Sequence, residues 1–192
     1  MVRWIRDIVS FCFYCIFLFR PYPRSVVLLY HSISDLESDR DPYRMNIDPS
    51  LFSKQIGYLV ALQKKWKIRI VVTCDDGFEN FFTHAWPILK VSGLRTILFI
   101  TTDFIDQKMS FDHLFKGTHV APMTWDQLER ISKEGGEIGS HSRSHPRLSE
   151  CDPQVLRDQI EGSKDVIETR LKASVKLFAY PFGGFSSFSE GV

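Results

Sequence analysis

The chain has 192 residues, 44% of them hydrophobic and 24% charged, which is enough apolar material for one globular core and one domain. Its 24 basic and 23 acidic side chains leave a formal charge of +1 with no long block of either sign, so the charge gives no support to a nucleic-acid or other polyanion partner. The four cysteines, Cys12, Cys15, Cys74 and Cys151, are too few and too scattered to form a disulfide framework.

Residues 1–24 form a separate hydrophobic segment. Its apolar run, residues 8–19, follows Arg3 and Arg6 and precedes Arg20. Twelve residues are short of the roughly twenty that span a bilayer, and no small-residue cleavage site is visible. The run reads as an uncleaved signal anchor or interfacial helix, which implies membrane association; the alternative is an amphipathic helix packed on the domain. Cys12 and Cys15 lie inside it as a C-x-x-C with no second pair to complete a zinc site, which favours packing or lipid exposure over redox chemistry.

From residue 25 to 192 the chain reads as one domain in which strands and helices alternate. Apolar or β-branched runs at 26–31, 68–74, 95–101, 136–141 and 175–180 predict five strands. Between the first two, Asp48 as N-cap and Pro49 at the first helical position open a helix with Leu51, Phe52, Ile56, Leu59 and Leu62 on one stripe. A helix over 79–93 closes on Gly93. Another begins at Thr124 with Gln127 at capping-box spacing and ends on Gly135 and Gly136. The last begins at Asp152 and Pro153. Strand and helix in alternation predict a parallel α/β sheet, barrel or doubly wound, and in both architectures reactive groups gather at the carboxyl ends of the strands.

Those ends carry His31, then Asp75 and Asp76, then residues 101–103, then His141 to His145, then residues 180–183. Adjacent carboxylates repel and resist burial, so Asp75 and Asp76 at the end of a buried strand need either a solvated turn or a cation. His141 and His145, four apart with Ser142 and Ser144 between them, can converge on one side of a tight loop. Two imidazoles and one carboxylate make a divalent site with an open position, the arrangement of catalytic zinc.

"TCDDG", "HSRSH" and "AYPFG", in this order, resemble the first three motifs of the polysaccharide deacetylases with NodB homology, carbohydrate esterase family 4. "LLYHSIS" is similar to the branch that acts on poly-N-acetylglucosamine, and the resemblance covers residues 26–185. It implies a (β/α) barrel of the distorted TIM type, here incomplete. It also implies metal-dependent removal of N-acetyl groups from an N-acetylglucosamine polysaccharide in the cell envelope, outside the cytoplasm. By resemblance Asp75 is the general base, Asp76, His141 and His145 hold the metal, and Ser142 braces the histidine loop. The backbone N–H of Phe182, after Tyr180 and Pro181, stabilises the oxyanion. The metal is expected to be Zn²⁺, with Co²⁺, Ni²⁺, Mn²⁺ or Fe²⁺ as alternatives that the same ligands suit.

The chain departs from the family pattern at three points. Ala179 stands where many members carry an arginine that pairs with the base, and Cys74 replaces a usual phenylalanine. No histidine follows His145 to serve as the family's late general acid. Five strands are too few to close a barrel, which ordinarily takes about eight, so the chain is read as C-terminally truncated. His31 is a candidate acid or metal-site neighbour, against a structural hydrogen-bonding role. His84, His113 and His119 have less claim, and Phe111 and Phe115 read as a lid or as sugar-stacking rings. The competing function is a catalytically impaired relative that binds metal or glycan without turnover.

Overall fold

The computed structural model describes residues 25–107, 111 and 113–184. The hydrophobic N-terminal segment, with its expected membrane association and its two cysteines, lies outside the described residues. Among the described residues no helix is long and apolar enough to cross a membrane.

The described residues form six strands and five α-helices, in order: β1 (Ser25–Tyr30), β2 (Ser32–Ile33), β3 (Asn46–Ile47), α1 (Pro49–Trp66), β4 (Arg69–Cys74), α2 (Trp86–Ser92), β5 (Arg95–Ile100), α3 (Trp125–Lys133), β6 (Glu137–Ser140), α4 (Pro153–Arg157) and α5 (Ser163–Leu171). Four of the strands form one parallel sheet in the order β1-β4-β5-β6, and β2 and β3 form a separate small pair. Each new strand of the large sheet is added beside the last without a reversal, which is the winding of a barrel rather than of a doubly wound sheet.

Strand periodicity divides the side chains between two faces. Ile70, Val72 and Cys74 of β4, Leu98 and Ile100 of β5, and Ile138 of β6 join Phe52, Ile56 and Leu59 of α1, Trp86 and Leu89 of α2, and Leu128 and Ile131 of α3 in the main core. The alternate residues Val71, Ile97 and Phe99 face the other way and pack with Leu177 and Ala179. They line a cavity of about 560 Å³ that also takes in Val27 and Leu29 and ends at Asp75 and Tyr180.

Local signals set the helix starts. Asp48 accepts hydrogen bonds from the Ser50 and Leu51 N–H groups ahead of Pro49, and Asp152 does the same for Gln154 and Val155. Thr124 and Gln127 form the reciprocal capping box. In α1 the buried stripe is Phe52, Ile56 and Leu59, whereas Leu51 is exposed. Single π-helical turns at Phe81–Ala85 and Asp158–Gly162 interrupt the two helical segments; the sequence carries no simple signal for either.

The predicted fifth strand does not form. Residues 175–180 run beside β6 through Leu177 O, which accepts from Ser140 N at 3.0 Å, and Ala179 N, which donates to Ser140 O at 2.9 Å. They make a single parallel bridge between Ser140 and Phe178. The ladder cannot extend, because β6 ends at Ser140 where the chain turns into the histidine loop, and Val175 N is taken by Glu168 Oε1 at 2.8 Å.

This junction is tightly packed. A methyl group added at Gly139 would lie 2.5 Å from the Phe99 ring and 3.1 Å from Leu177 O. Gly139→Ala is therefore expected to destabilise the fold by about 1–3 kcal/mol through overpacking, seen as a lower urea midpoint at unchanged slope. An unchanged midpoint would show that residues 177–179 yield freely.

Candidate metal centre

The carboxyl ends of β4, β5 and β6 bring the two polar loops together. After β4 the chain turns sharply: Asp76 and Gly77 both take left-handed backbone, at φ 73° and 88°. A left-handed L-residue costs about 1–2 kcal/mol, and such strain is kept where the surroundings impose it. Ser142 (φ 68°), His145 (φ 60°) and Phe182 (φ 66°) share the conformation, so four non-glycine residues of this small region carry it. The end of β5 ties the loops: Thr101 N donates to Asp76 O at 3.4 Å and Thr102 N to Ser142 O at 3.3 Å.

The side chains then converge. His141 Nε2 lies 3.6 Å from Asp76 Oδ1 and 3.9 Å from Asp75 Oδ2, and His145 Nε2 lies 3.6 Å from the same Asp76 Oδ1. Ligand atoms of Asp76, His141 and His145 all fall within 4.8 Å of one another. At 3.6 Å these pairs are too far apart to hydrogen-bond but close to the ~3.4 Å expected between donors about 2.1 Å from a tetrahedral ion. His141 Nδ1 is 2.9 Å from Ala179 O, so that nitrogen carries the proton and Nε2 keeps its lone pair for a ligand. Asp75 Oδ1 is buried and has no hydrogen-bond partner. An unpaired buried carboxylate oxygen beside three convergent donors fits a cation site.

The remaining predicted residues surround this cluster. Ser142 Oγ accepts from His145 N at 3.0 Å. The Phe182 ring is 4.8 Å from that of His145 and lies under the Arg147 guanidinium. Pro181 is buried and Tyr180 half-buried, and Tyr180 shares the inner cavity with Asp75. His31 stands at the end of β1, half-buried, and its carbonyl accepts from Cys74 Sγ at 3.0 Å. A charge on its ring would be felt by both His141 and His145. The smaller Cys74 therefore fills a core position and ties β4 to β1. His84 turns away, its Nδ1 2.9 Å from Ile33 O. Phe111 and Phe115 are buried against Phe78 and Phe104 as internal packing rather than as a sugar platform.

Sequence reasoning missed the supports. Gln159 and Ser163, on the far side of the histidine loop, hydrogen-bond to it and to Ser140. Their contacts span 15 to 23 residues, which no local pattern signals.

Burial sets the electrostatics. It raises the Asp75 carboxyl to about 8, helped by the charge of Asp76, and raises Asp76 to about 7. It lowers His141 to about 3, with His145 adding to the effect, and lowers His145 to about 4. Without a cation the cluster favours neutral carboxyls and neutral imidazoles.

A family model for polysaccharide deacetylase matches residues 63–189, and the chain belongs to that family. YxkH of Bacillus subtilis, named as a putative polysaccharide deacetylase, is 25% identical over 171 residues, which are 83% of this chain and 57% of that protein. The peptidoglycan-N-acetylmuramic acid deacetylase PdaA of Bacillus subtilis is 25% identical over 121 residues, 62% of this chain and 40% of PdaA. The chain thus spans about half the length of these relatives. The deacetylase PplD of Streptococcus pyogenes, solved with acetate, superposes with a TM-score of 0.65 at 20% identity over 84% of this chain and 76% of PplD. The shared fold is the NodB-like (β/α) barrel type, of which the described residues supply four parallel strands.

The carboxyl shifts define a pH test. A carboxyl whose folded pKa is raised stabilises the fold at low pH, and that contribution is lost as pH climbs from about 4 to about 8. The depressed imidazoles act oppositely, but in the unfolded chain they are already half deprotonated at pH 6.5 and add little beyond it, so from there to pH 8 the loss from the carboxyls dominates. Metal-free protein is expected to melt at a lower temperature at pH 8 than at pH 6.5, and Zn²⁺ should reverse the loss. A melting temperature that rises over this interval without metal would contradict the assignment.

Proposed function

We propose that the chain is a metal-dependent amidohydrolase that removes N-acetyl groups from an N-acetylglucosamine-containing polysaccharide of the cell envelope. The observation that carries this reading is the convergence of Asp76, His141 and His145 within 4.8 Å, with the unpaired, buried Asp75 carboxylate beside them. The substrate class is supported by the family, by the N-acetyl substrate in the name of PdaA, and by the resemblance of the β1 motif to the poly-N-acetylglucosamine branch. Such a polymer places the site outside the cytoplasm.

In this reading Asp76, His141 and His145 hold one divalent ion, with zinc favoured by two imidazoles and a carboxylate. When bound, such an ion supplies a Lewis acid that polarises an amide carbonyl and makes hydroxide available near pH 7. Asp75 accepts the proton of the attacking water, a role suited to a carboxyl whose burial has raised its pKa toward neutrality. Ala179 offers no cation to pair with it, so Asp75 would depend on a bound cation to favour its ionised form. The Phe182 backbone N–H, on the loop that seats its ring against His145, stabilises the developing oxyanion. The breaking C–N bond needs a proton on the departing amine, for which the chain offers the carboxyl of Asp75 and, from the end of β1, His31.

The competing reading is a protein that holds metal or glycan without turnover, favoured by Ala179 at the position where many family members carry an arginine that pairs with the base. Release of acetate from N-acetylglucosamine oligomers by the zinc-loaded chain separates the two. Asp75→Asn should reduce hydrolysis by about 10²–10⁴-fold while the cation stays bound, whereas His141→Ala should lose both. Equal loss of metal from the two variants would sink the division of labour, and bound zinc with no acetate release from the unaltered chain would favour the non-catalytic reading.

A further inference from the structure

The segment from His141 to His145 has no regular ladder to hold it. Two of its residues, Ser142 and His145, are left-handed, and its backbone is held by Ile100, Thr102 and Asp103 of β5 and its end, together with side-chain acceptors. One side chain stands out among them. Gln159 is only 7% exposed, and its Oε1 accepts from the backbone N–H groups of Arg143 and Ser144, each at 3.0 Å. Its Nε2 donates to Ser144 Oγ at 3.1 Å. A single amide thus holds two consecutive peptide groups midway between the two imidazoles.

The approach of this amide is built into its helix. Gln159 sits in the π-helical turn Asp158–Gly162 between α4 and α5, and such one-residue insertions recur at functional sites. A methyl group at Gly162 would lie 2.5 Å from Asp158 Oδ1, so glycine there lets that carboxylate fold back. Asp158 then takes Arg143 Nη1 at 2.9 Å, while Asp103, at the end of β5, takes the same guanidinium at 3.3 Å and donates its N–H to Arg143 O at 2.9 Å. The ion pairs are part-exposed and screened. The amide is buried, and removing its oxygen would leave two N–H groups unpaired.

We propose that Gln159 is a positioning residue for the metal centre: by clamping the Arg143 and Ser144 peptides it keeps His145 convergent with His141 and Asp76. Its effect is exerted on cation affinity, through the backbone. This rests on reading the trio as a divalent-cation site.

The test is zinc affinity of the full chain, measured by competition with a chromophoric chelator, alongside thermal unfolding of the metal-free protein. Gln159→Leu, which keeps bulk and removes the acceptor, should weaken zinc binding about 10–100-fold, the usual range for residues that orient metal ligands. Gln159→Glu, whose carboxylate can still accept both N–H groups, should stay near the unaltered chain. Ile56→Val, a core shortening in α1, should lower melting without changing zinc affinity. Should Gln159→Leu fail to fold, the order of Gln159→Asn and Gln159→Glu decides: the shortened amide must bind zinc more weakly. Zinc affinity equal in Gln159→Leu and the unaltered chain would overturn the clamp while leaving the metal site standing. No zinc binding by the unaltered chain would overturn both.

Discussion

Two adjacent carboxylates, both nearly excluded from water, face two imidazoles whose burial favours the uncharged form. Nothing among the described side chains around Asp75 neutralises it, and one of its oxygens has no partner at all. Such a group is costly unless it is protonated or a cation is supplied. The rest of the region can be understood as the apparatus that holds this unfavourable arrangement in place. Parallel strands deliver Asp75 and Asp76 from β4 and His141 from β6, with β5 between them as a spacer whose end bonds to both loops.

The strain is distributed rather than relieved. Asp76, Ser142, His145 and Phe182 each accept left-handed backbone, and each is countered by a specific contact. Asp76 O receives Thr101 N, Ser142 O receives Thr102 N, His145 N finds Ser142 Oγ, and the Phe182 ring rests between His145 and Arg147. The irregular stretch after α5 has a comparable task. It fails to become a strand, yet Ala179 O fixes the tautomer of His141 by accepting from Nδ1. The backbone of Ala179 thus orients one candidate ligand, although its side chain cannot supply the charge that an arginine would bring to Asp75.

Much of the frame could be read from local chemistry. Asp48 with Pro49, Thr124 with Gln127, and Asp152 with Pro153 act through neighbouring backbone groups, so the helix starts are visible in the residues themselves. The donor trio was visible because it is confined to two short motifs at strand ends; the roles of its members came from resemblance, which periodicity alone could not supply. The fifth strand was misjudged for a non-local reason. The apolar run at 175–180 has strand character, but its partner β6 stops at Ser140. Gln159 was invisible for a similar reason: its contacts lie 15 and 16 residues upstream, beyond the reach of any local pattern. Phe111 and Phe115 could not be assigned to a lid or to the interior until Phe78 and Phe104 were seen to enclose them.

The most direct measurement is the metal stoichiometry of the purified chain after reconstitution with zinc, by elemental mass spectrometry, compared with a His141→Ala, His145→Ala double variant of confirmed fold. One zinc per chain, absent from the double variant, is the result expected if Asp76, His141 and His145 are brought together to hold a cation. A chain that folds but retains no zinc, or a double variant that retains as much, would contradict the account.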